Sequence, residues 1–279
     1  MKKIWITGAG GHIGTALKSL LDCNKYNILC TDHNDVDITN KNKVYTYALN
    51  NRPEVIINCA GVTDLTLCAE DPEAAYAVNA VGPRNLAMAA NSISAKLIQL
   101  STDDVFSDHI AHKFNEFDPV HPKTMYGKSK WAGERIVANL MKNYVIIRSS
   151  WVYGTGNDFV EYILNTASQQ SSLEVPTNML ASPTSAEELA KIITQFIDGE
   201  YYGTYHAVCK GHCTRYKFAQ EILKCTGIEN KLSLIPIEVP DGAYSVLDNM
   251  MLRIDRLEEP CEWKQALKNY FDLSGGKPQ

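Results

Sequence analysis

The chain has 279 residues, 45% of them hydrophobic and 21% charged, and its 27 Lys and Arg against 32 Asp and Glu give a formal net charge of −5. This composition is typical of a globular protein and excludes a mostly disordered chain. A weakly acidic chain is a poor candidate for binding nucleic acid, and no apolar run approaches the roughly 20 residues of a membrane span. Glycines follow the start too soon for a signal peptide, so we expect a cytoplasmic protein without a nucleic-acid or membrane partner.

Strands and helices alternate through the first 150 residues. Strands are predicted at Lys3–Thr7, Asn27–Thr31, Glu54–Ala60, Lys96–Thr102 and Tyr144–Ser149. Helices are predicted at His12–Leu21, Lys43–Leu49, Pro72–Asn91 and Met125–Met141. This alternation predicts an α/β fold with a doubly wound, Rossmann-like parallel sheet.

After residue 150 the alternation of strands and helices becomes less regular. Helices are predicted at about Asp158–Ala167, Ser185–Ile197 and Lys217–Cys225, with short strands and proline-bearing loops between them. We predict a dinucleotide-binding domain from residues 1–150 with about 171–200. A smaller α/β substrate lobe would be formed by about 151–170 and 201–279. Such a lobe would cover the carboxyl edge of the sheet, where ligands of these sheets bind.

Eight cysteines are scattered along the chain, and most are expected to act as small hydrophobes rather than as disulfide partners. Four potential metal ligands fall within eight residues, namely His206, Cys209, His212 and Cys213. They lack the paired spacing of familiar zinc sites. We therefore expect no metal there, with a zinc site as the alternative.

The first predicted strand runs into a glycine-rich turn with the spacing Gly8-x-x-Gly11-x-x-Gly14. In a dinucleotide-binding turn the first glycine permits the tight bend, the second lets the backbone approach a pyrophosphate, and the third lets helix and strand pack closely. Free amides at the start of the helix then face the phosphates. We expect this turn, with His12 and Ile13, to bind a dinucleotide; a plain strand–helix turn is the alternative.

Asp32 closes the second strand, 18 residues after Gly14. A carboxylate there can accept hydrogen bonds from an adenosine ribose and repels a 2′-phosphate, which favours NADH or dual use of NADH and NADPH. Asp32 could instead cap a turn. The partly basic neighbour is His33, and Asp37 with Ile38 is a plausible contact for the adenine edge.

A Tyr126-x-x-x-Lys130 pair opens the helix after the fourth strand, which ends at Thr102. Residues four apart share a helix face, so the ammonium is expected to lower the pKa of the phenol. A phenol tuned in this way can protonate a developing alkoxide, and Thr102 could bind the same oxygen. The alternative is a surface tyrosine beside a solvated lysine.

Several segments together are similar to one enzyme family. They are Ile6-Thr-Gly-Ala-Gly-Gly-His-Ile-Gly14, Asp35-Val-Asp-Ile-Thr39, Asn58-Cys-Ala-Gly61, Asn79-Ala-Val-Gly-Pro-Arg-Asn-Leu-Ala87, Ser101-Thr-Asp-Asp-Val-Phe106, Tyr126-Gly-Lys-Ser-Lys130, Arg148-Ser-Ser-Trp-Val-Tyr-Gly154, Asn157-Asp-Phe-Val160, Ser182-Pro-Thr184, Gly203-Thr-Tyr-His206 and Glu262-Trp-Lys264. Over nearly its whole length the chain resembles the dTDP-4-dehydrorhamnose reductase family of the extended short-chain dehydrogenase/reductase superfamily.

The resemblance implies an NADPH- or NADH-dependent reductase that turns a nucleotide-linked 4-keto-6-deoxysugar into its 4-hydroxy product. It gives Thr102, Tyr126 and Lys130 the catalytic roles. It also implies that the nicotinamide end is bordered by Ala60, Gly61 and Val62. By the same resemblance, Asn79 steadies the cofactor site and Trp151 lines the sugar pocket. Related reductases often pair, so a homodimer is an assembly that the resemblance implies.

Departures from the family pattern fall on the substrate side. Asp104, after Asp103, replaces a tyrosine, and Asp241-Gly-Ala-Tyr-Ser245 lacks the usual Arg-Pro before the serine. Arg215 adds a positive charge that could replace the lost cation, whose phosphate contact would be a strong, charge-assisted one. We therefore hypothesise retained chemistry on a different substrate, with an amino-bearing keto sugar as one candidate. The alternative is that Asp104 caps a local amide.

Two other functions compete with the reductase. A non-catalytic, dinucleotide-binding relative serves as a regulatory subunit of methionine adenosyltransferase, and altered substrate residues would suit such a protein too. The intact set of Thr102, Tyr126 and Lys130 favours the enzyme, because a binding subunit has no need of all three. An epimerase of the same superfamily is a third candidate. The loop at 109–122 has no assigned role.

Overall fold

A computed structural model describes residues 1–106, 112–240 and 242–273. Its strands are β1 (Lys2–Thr7), β2 (Tyr26–Thr31), β3 (Val55–Asn58), β4 (Lys96–Thr102), β5 (Tyr144–Ser149), β6 (Val152–Tyr153), β7 (Ser172–Pro176), β8 (Leu180–Ala181), β9 (Thr184–Ser185), β10 (Gly203–His206), β11 (Cys213–Thr214) and β12 (Ser233–Ile237).

Helices connect most of these strands. They are α1 (His12–Leu20), α2 (Lys41–Asn51), α3 (Leu65–Glu70), α4 (Pro72–Tyr76), α5 (Gly82–Ser92), α6 (Met125–Leu140), α7 (Phe159–Gln169), α8 (Ala186–Asp198), α9 (Arg215–Thr226), α10 (Met250–Ile254) and α11 (Trp263–Leu273). A π-helical turn, Ala77–Val81, joins α4 to α5, and a 3₁₀ turn, Asp103–Val105, follows β4.

The main sheet of the described chain has six parallel strands in the order β10-β5-β4-β3-β1-β2. All four residues of β3 are buried, as expected of a strand that is covered on both faces. One face packs on α1 and α8, and the other packs on α2, α5 and α6. The predicted doubly wound α/β fold is therefore confirmed.

The strand order reverses beside β1, because β2 lies on one side of it and β3 on the other. At such a switch point the loops after the two flanking strands part in opposite directions and leave a crevice at the carboxyl edge. The glycine turn after β1 and the segment after β3 border this crevice. The topology thus places the predicted dinucleotide turn where ligands of open α/β sheets bind.

The predicted helix Pro72–Asn91 differs from the structure in one respect. The chain is helical from Pro72 to Ser92, but the turn Ala77–Val81 is wound as a π-helix. Such turns often occur at functional sites, and this one carries Asn79. The helices α3, α10 and α11 were not predicted, although the spacing of Trp263, Ala266 and Leu267 is the signal of a helix with one buried face.

A second apolar cluster lies apart from the two faces of the sheet and is built mainly from α7, α9 and α11 with β7. Its largest buried members are Tyr153, Phe218 and Trp263. The predicted division put residues 203–206 in the substrate lobe, but β10 pairs with β5 in the main sheet. The division into two lobes itself stays a prediction. Among the described helices, none combines the length and the apolar character needed to cross a bilayer.

Candidate active site

The glycine turn after β1 has no room for side chains at two of its glycines. Gly8 has φ +63°, and a Cβ on it would lie 2.7 Å from the amide nitrogen of Ala60. A Cβ on Gly14 would lie 2.5 Å from the carbonyl oxygen of Gly8. Gly11 is the N-cap of α1, and no side chain caps this helix. The first amides of α1 are therefore available to an anionic ligand.

The other two predicted residues of the turn point in different directions. The His12 ring nitrogen Nδ1 lies 2.7 Å from the carbonyl oxygen of Thr155. A Cβ on Gly154 would come within 3.3 Å of the His12 Cβ, so the ring lies against that loop. Ile13 packs on the apolar cluster beneath the sheet. His12 thus borders the crevice, whereas Ile13 anchors the turn.

Asp32 stands at the end of β2 facing the glycine turn. Its Oδ1 accepts a hydrogen bond from the amide of Gly10 at 2.8 Å, and the residue is exposed. The predicted turn-capping contact is therefore present, and it holds the carboxylate beside the crevice. His33 is exposed, with its Nδ1 3.8 Å from the carboxylate of Asp37.

The two residues predicted to contact the adenine edge, Asp37 and Ile38, lie in different surroundings. Asp37 accepts hydrogen bonds from the amide and the hydroxyl of Thr39 at 2.9 and 2.8 Å. Ile38 is only 5% exposed, and a Cβ on Gly82 would lie 2.5 Å from its Cδ1. The side chain of Ile38 therefore belongs to the core, which leaves its backbone for any contact with a ligand.

Asn79 fixes the segment that follows β3. Its Oδ1 accepts from the amide of Val62 at 3.0 Å, and its Nδ2 donates to the carbonyl oxygen of Val62 at 2.8 Å. The same Nδ2 donates to Ser129 Oγ at 3.0 Å. The π-helical turn thus clamps the Ala60–Val62 segment and ties it to α6.

Tyr126 lies on the first turn of α6 and reaches the end of β4. Its phenol lies beside Thr102, which lowers the pKa of Tyr126 against the effect of burial and is itself 5% exposed. Thr124 begins the helix by accepting the amide of Gly127 at 2.9 Å. Ser129 Oγ donates to the carbonyl oxygen of Tyr126 at 2.8 Å. The structure therefore brings Tyr126 and Thr102 together as predicted.

The ammonium of Lys130 faces the sheet rather than the phenol. Its Nζ donates to the carbonyl oxygen of Leu100 at 2.7 Å, and a Cβ on Gly61 would lie 3.6 Å from it. Burial, with the carboxylates of Asp103 and Asp104 adding to it, raises the pKa of Tyr126. The expected lowering of that pKa by Lys130 is thus wrong for this structure. A raised pKa keeps the phenol protonated near neutral pH.

Lys130 carries a buried cation with a carboxylate one helical turn away. Burial lowers its pKa to about 8, and the charge of Glu134 opposes that shift. Glu134 is itself held by Arg148, with distances of 3.0 Å from Nε to Oε1 and 2.7 Å from Nη2 to Oε2. This paired geometry is among the stronger types of hydrogen bond. The ion pair keeps the charge of Glu134 fixed beside Lys130.

Asp103 is buried between the end of β4 and the segment near residue 245. Its Oδ2 accepts from Ser150 Oγ at 2.8 Å and from Ser245 Oγ at 2.6 Å. Burial raises its pKa, against these hydrogen bonds and the nearby charge of Arg215. Asp241, the other end of the altered segment, lies outside the described residues, as does part of the loop at 109–122. Asp103 therefore joins two parts of the chain beneath the site.

Arg215 starts α9, and its guanidinium lies over two aromatic rings. Its guanidinium carbon lies 3.7 Å from the ring centroid of Trp151 and 4.6 Å from that of Phe159. Trp151 has φ +41°, which is uncommon for a residue other than glycine. Burial lowers the pKa of Arg215 to about 10, and the charge of Asp103 opposes this. The guanidinium keeps its charge at neutral pH.

Asp104 faces the start of α6. Thr124 Oγ1 donates to its Oδ2, and the backbone of Asp104 lies against Gly127, where a side chain would collide with the Asp104 carbonyl oxygen. Burial raises its pKa to about 6, against the hydrogen bond from Thr124. This geometry favours the alternative in which the carboxylate caps a local structure. The amino-sugar hypothesis stays a prediction.

The model of the family described as "RmlD substrate binding domain" matches residues 1–274. A dTDP-4-dehydrorhamnose reductase of Aggregatibacter actinomycetemcomitans is 33% identical over 288 residues, covering 96% of this chain and 98% of the relative. The chain belongs to the RmlD substrate binding domain family.

Solved structures of family members superimpose over nearly the whole chain. A dTDP-4-dehydrorhamnose reductase from Clostridium acetobutylicum is 40% identical with a TM-score of 0.94, covering 98% of this chain and 99% of the other. One from Bacillus anthracis, in complex with NADP, is 32% identical with a TM-score of 0.95, covering 98% and 100%. The predicted resemblance is therefore confirmed.

The four residues weighed as metal ligands are held by different partners. The His206 ring is buried with Nδ1 3.1 Å from the carbonyl oxygens of Phe114 and Asp248, and burial lowers its pKa to about 3. Cys209 belongs to the buried cluster against which Cys261 packs, whereas His212 is exposed. Within the described ranges, no three His, Cys, Asp or Glu side chains are grouped as metal ligands.

Sequence reasoning missed several residues that support this RmlD-family site. They are Thr124 and Ser129 on α6, Ser150 and Ser245 beside Asp103, Phe159 against Arg215, and Glu134 beside Lys130. The clearest signal was Glu134, since it stands four residues after Lys130 on a predicted helix. Ser150 and Ser245 carry no such signal, because their partner Asp103 is distant in sequence.

Proposed function

We propose that this chain reduces the keto group of a nucleotide-linked 4-keto-6-deoxysugar of the dTDP-4-dehydrorhamnose kind to a hydroxyl, with NADPH or NADH as cofactor. The observation that carries the proposal is the position of the Tyr126 phenol beside Thr102, at the end of β4 in the sheet that also carries the glycine turn. Family members that are named for this activity match over nearly the whole length.

The residues that border the crevice fit a dinucleotide. The uncapped first turn of α1 offers amides to a pyrophosphate, and no acidic residue lies in that turn. Asp32 is held by Gly10 at the next strand end, within the part of the site that would face a ribose. Asn79 holds the Ala60–Val62 segment, which would border the nicotinamide. We propose these residues as the cofactor site.

When bound, the nicotinamide supplies a hydride to the carbonyl carbon of the sugar. Tyr126 donates its proton to the carbonyl oxygen as charge develops there, and the raised pKa of the phenol keeps that proton available. Thr102 orients the phenol and offers a hydroxyl to the same oxygen. The cation of Lys130, beside Gly61, stabilises negative charge in this part of the site.

The aromatic residues around Arg215 are proposed to hold the substrate. The guanidinium contacts both Trp151 and Phe159, so its direction is restricted before a ligand arrives. Guanidinium groups bind phosphate oxygens through paired hydrogen bonds, which suits the diphosphate of a nucleotide sugar. A substrate lobe from about 151–170 and 201–279, a homodimer and a cytoplasmic location remain predictions.

The proposal is tested by measuring NADPH and NADH oxidation by the full chain with a panel of nucleotide 4-ketosugars, including dTDP-4-dehydrorhamnose and an amino-bearing keto sugar. Turnover with formation of a 4-hydroxy product supports the reductase. Cofactor binding without oxidation of any panel member would point to the regulatory subunit, and interconversion of sugar epimers without net cofactor consumption would point to the epimerase.

A further inference from the structure

The structure assigns a covalent modification site to Cys209 and Cys261. We propose that these two thiols form a reversible disulfide by exchange with a low-molecular-weight disulfide. The site lies outside the proposed reductase residues, and this inference does not rest on the proposed function.

The backbone places the two cysteines at matching positions. Lys210 and Glu262 form a parallel bridge, in which the Lys210 amide donates to the Cys261 carbonyl at 2.9 Å and the Trp263 amide donates to the Lys210 carbonyl at 3.0 Å. Cys209 and Cys261 each precede one of the bridged residues, so their Cα atoms are neighbours across the pair. Disulfides require close Cα atoms of this kind.

The side chains also meet. Cys261 packs against the buried cluster that contains Cys209, and all eight cysteines are free in this structure. The amide of Cys209 donates to Thr184 Oγ1 at 3.1 Å, and the amide of Cys261 donates to Glu188 Oε2 at 2.9 Å. Both backbones are thus anchored, and the two side chains belong to the same apolar cluster before any bond forms.

The two thiols differ in accessibility and acidity. Cys209 is buried and Cys261 is half-buried. The influence of Cys209 lowers the pKa of Cys261, whereas the pKa of Cys209 is raised by Cys261 and by burial. A thiolate is the attacking species in exchange, so Cys261 is the thiol that reacts first.

The exchange runs in two steps. The Cys261 thiolate attacks one sulfur of the small disulfide, which breaks its S–S bond, releases one thiolate and leaves a mixed disulfide on Cys261. The Cys209 sulfur, after losing its proton to solvent, then attacks Cys261 Sγ and releases the second thiolate. The protein loses two electrons in total, and the reagent is reduced to two thiols.

The bond would close a loop that contains α9, β12 and α10. A cross-link that closes a long loop restricts the unfolded chain, so the oxidised protein should melt later than the reduced one by roughly 5 °C or more. Because the backbone bridge already makes the two cysteines neighbours, the bond requires little movement of the folded chain.

The test treats the reduced full chain with oxidised glutathione, traps free thiols by alkylation and maps the linked peptides by mass spectrometry. We expect a Cys209–Cys261 bond that dithiothreitol removes, and a higher melting temperature while it is present. In Cys209→Ser we expect a mixed disulfide that stays on Cys261. The control Cys225→Ser, which removes an exposed cysteine, should behave as wild type.

Three outcomes would overturn the proposal. The first is wild-type protein in which exposed Cys225 is modified and no Cys209–Cys261 bond is found. The second is a different cysteine pair as the main intramolecular product. The third is Cys209→Ser protein in which Cys261 stays unmodified while Cys225 reacts. Since the first two use wild-type protein, the result does not depend on whether the variant folds.

Discussion

The carboxylate of Asp104 lies between Thr124 and the first turn of α6, near the phenol that is proposed to donate the proton. Its pKa is raised to about 6 by burial, so the group gains its charge as the pH rises through that value. The charge raises the pKa of Tyr126 and makes it a weaker acid. Asp104 therefore acts on the phenol from within the fold.

Replacing Asp104 by Asn keeps an acceptor for Thr124 and removes the charge. We expect kcat at pH 8 to rise roughly two- to tenfold because Tyr126 becomes a stronger acid. For a substrate whose sugar ring carries no charge, KM should stay unchanged. The pH profile of kcat should also lose its step near pH 6. The measurement compares both profiles with one substrate. A rise in KM alone would instead place the carboxylate against the substrate.

Asp104→Tyr gives the sharper comparison for substrate choice, because it restores the residue of the family pattern. If an ammonium on the sugar is the natural partner of Asp104, this variant should improve turnover of dTDP-4-dehydrorhamnose and lose turnover of the amino sugar. Unchanged or lower activity on dTDP-4-dehydrorhamnose would count against that hypothesis.

Lys130 is the second residue whose charge is expected to matter. Burial lowers its pKa to about 8, so it is charged below that pH and loses its proton above it. We expect kcat/KM to fall as the pH rises through about 8, and Lys130→Met to lower kcat/KM by on the order of 100-fold. A profile that stays flat to pH 10 would contradict the role of the cation.

Asp32 is expected to set the choice of cofactor. Asp32→Asn keeps an acceptor for the Gly10 amide and removes the charge that repels a 2′-phosphate. We expect the ratio of kcat/KM for NADPH over NADH to rise by about tenfold, which corresponds to about 1.4 kcal/mol. Asp35→Asn, three residues on, is the matched control and should leave the ratio unchanged.

At the scale of elements, the approach of α6 to the π-helical turn holds the site together. Gly133 is buried on α6, and a Cβ there would collide with the carbonyl oxygen of Asn79. Asn79 in turn clamps the amide and carbonyl of Val62. A change at Gly133 is therefore transmitted to the segment that would border the nicotinamide.

Gly133→Ala tests this packing, and we expect the substitution to destabilise the protein. Helix propensity alone would stabilise the protein by roughly 0.5–1 kcal/mol, but the collision should lower the free energy of unfolding by about 1–3 kcal/mol. The control Ala138→Gly, on the exposed face of α6, should cost only about 1 kcal/mol. Urea unfolding measures both. A more stable Gly133→Ala protein would show that the helix has room to move.

The sequence predicted the elements whose pattern is local. The strand Lys96–Thr102 and the strand Tyr144–Ser149 have the predicted bounds, and the helix that carries Tyr126 begins at the predicted residue. It could not predict the π-helical turn, because that turn follows from the packing of Asn79 against Val62 and Ser129, which are distant in sequence.

The pKa values of the site residues could likewise not be predicted from the sequence. Spacing on a helix put Tyr126 and Lys130 on one face, but it gave no information on burial. The Leu100 carbonyl that binds Lys130, and the carboxylates that raise the pKa of Tyr126, come from the end of β4. The shared helix of Tyr126 and Lys130 was predictable, whereas pKa values that depend on neighbouring strands were not.

At the scale of the whole molecule, the reversal of strand order beside β1 gathers the site. The glycine turn follows β1, the Ala60–Val62 segment follows β3, Thr102 ends β4 and Trp151 follows β5. Parallel strands bring these four points to one edge of the sheet. The second apolar cluster adds Arg215 from α9 to the same region, through its contact with Trp151. The fold thus supplies the cofactor cleft and the proton donor from separate parts of the chain.

The central claim is that the phenol of Tyr126 protonates the substrate oxygen. Tyr126→Phe removes only the hydroxyl, so the measurement is kcat/KM for reduction of dTDP-4-dehydrorhamnose beside the Kd for NADPH. We expect kcat/KM to fall at least 100-fold while the Kd changes less than about threefold. A Tyr126→Phe enzyme that keeps more than a tenth of the wild-type kcat/KM would contradict the account.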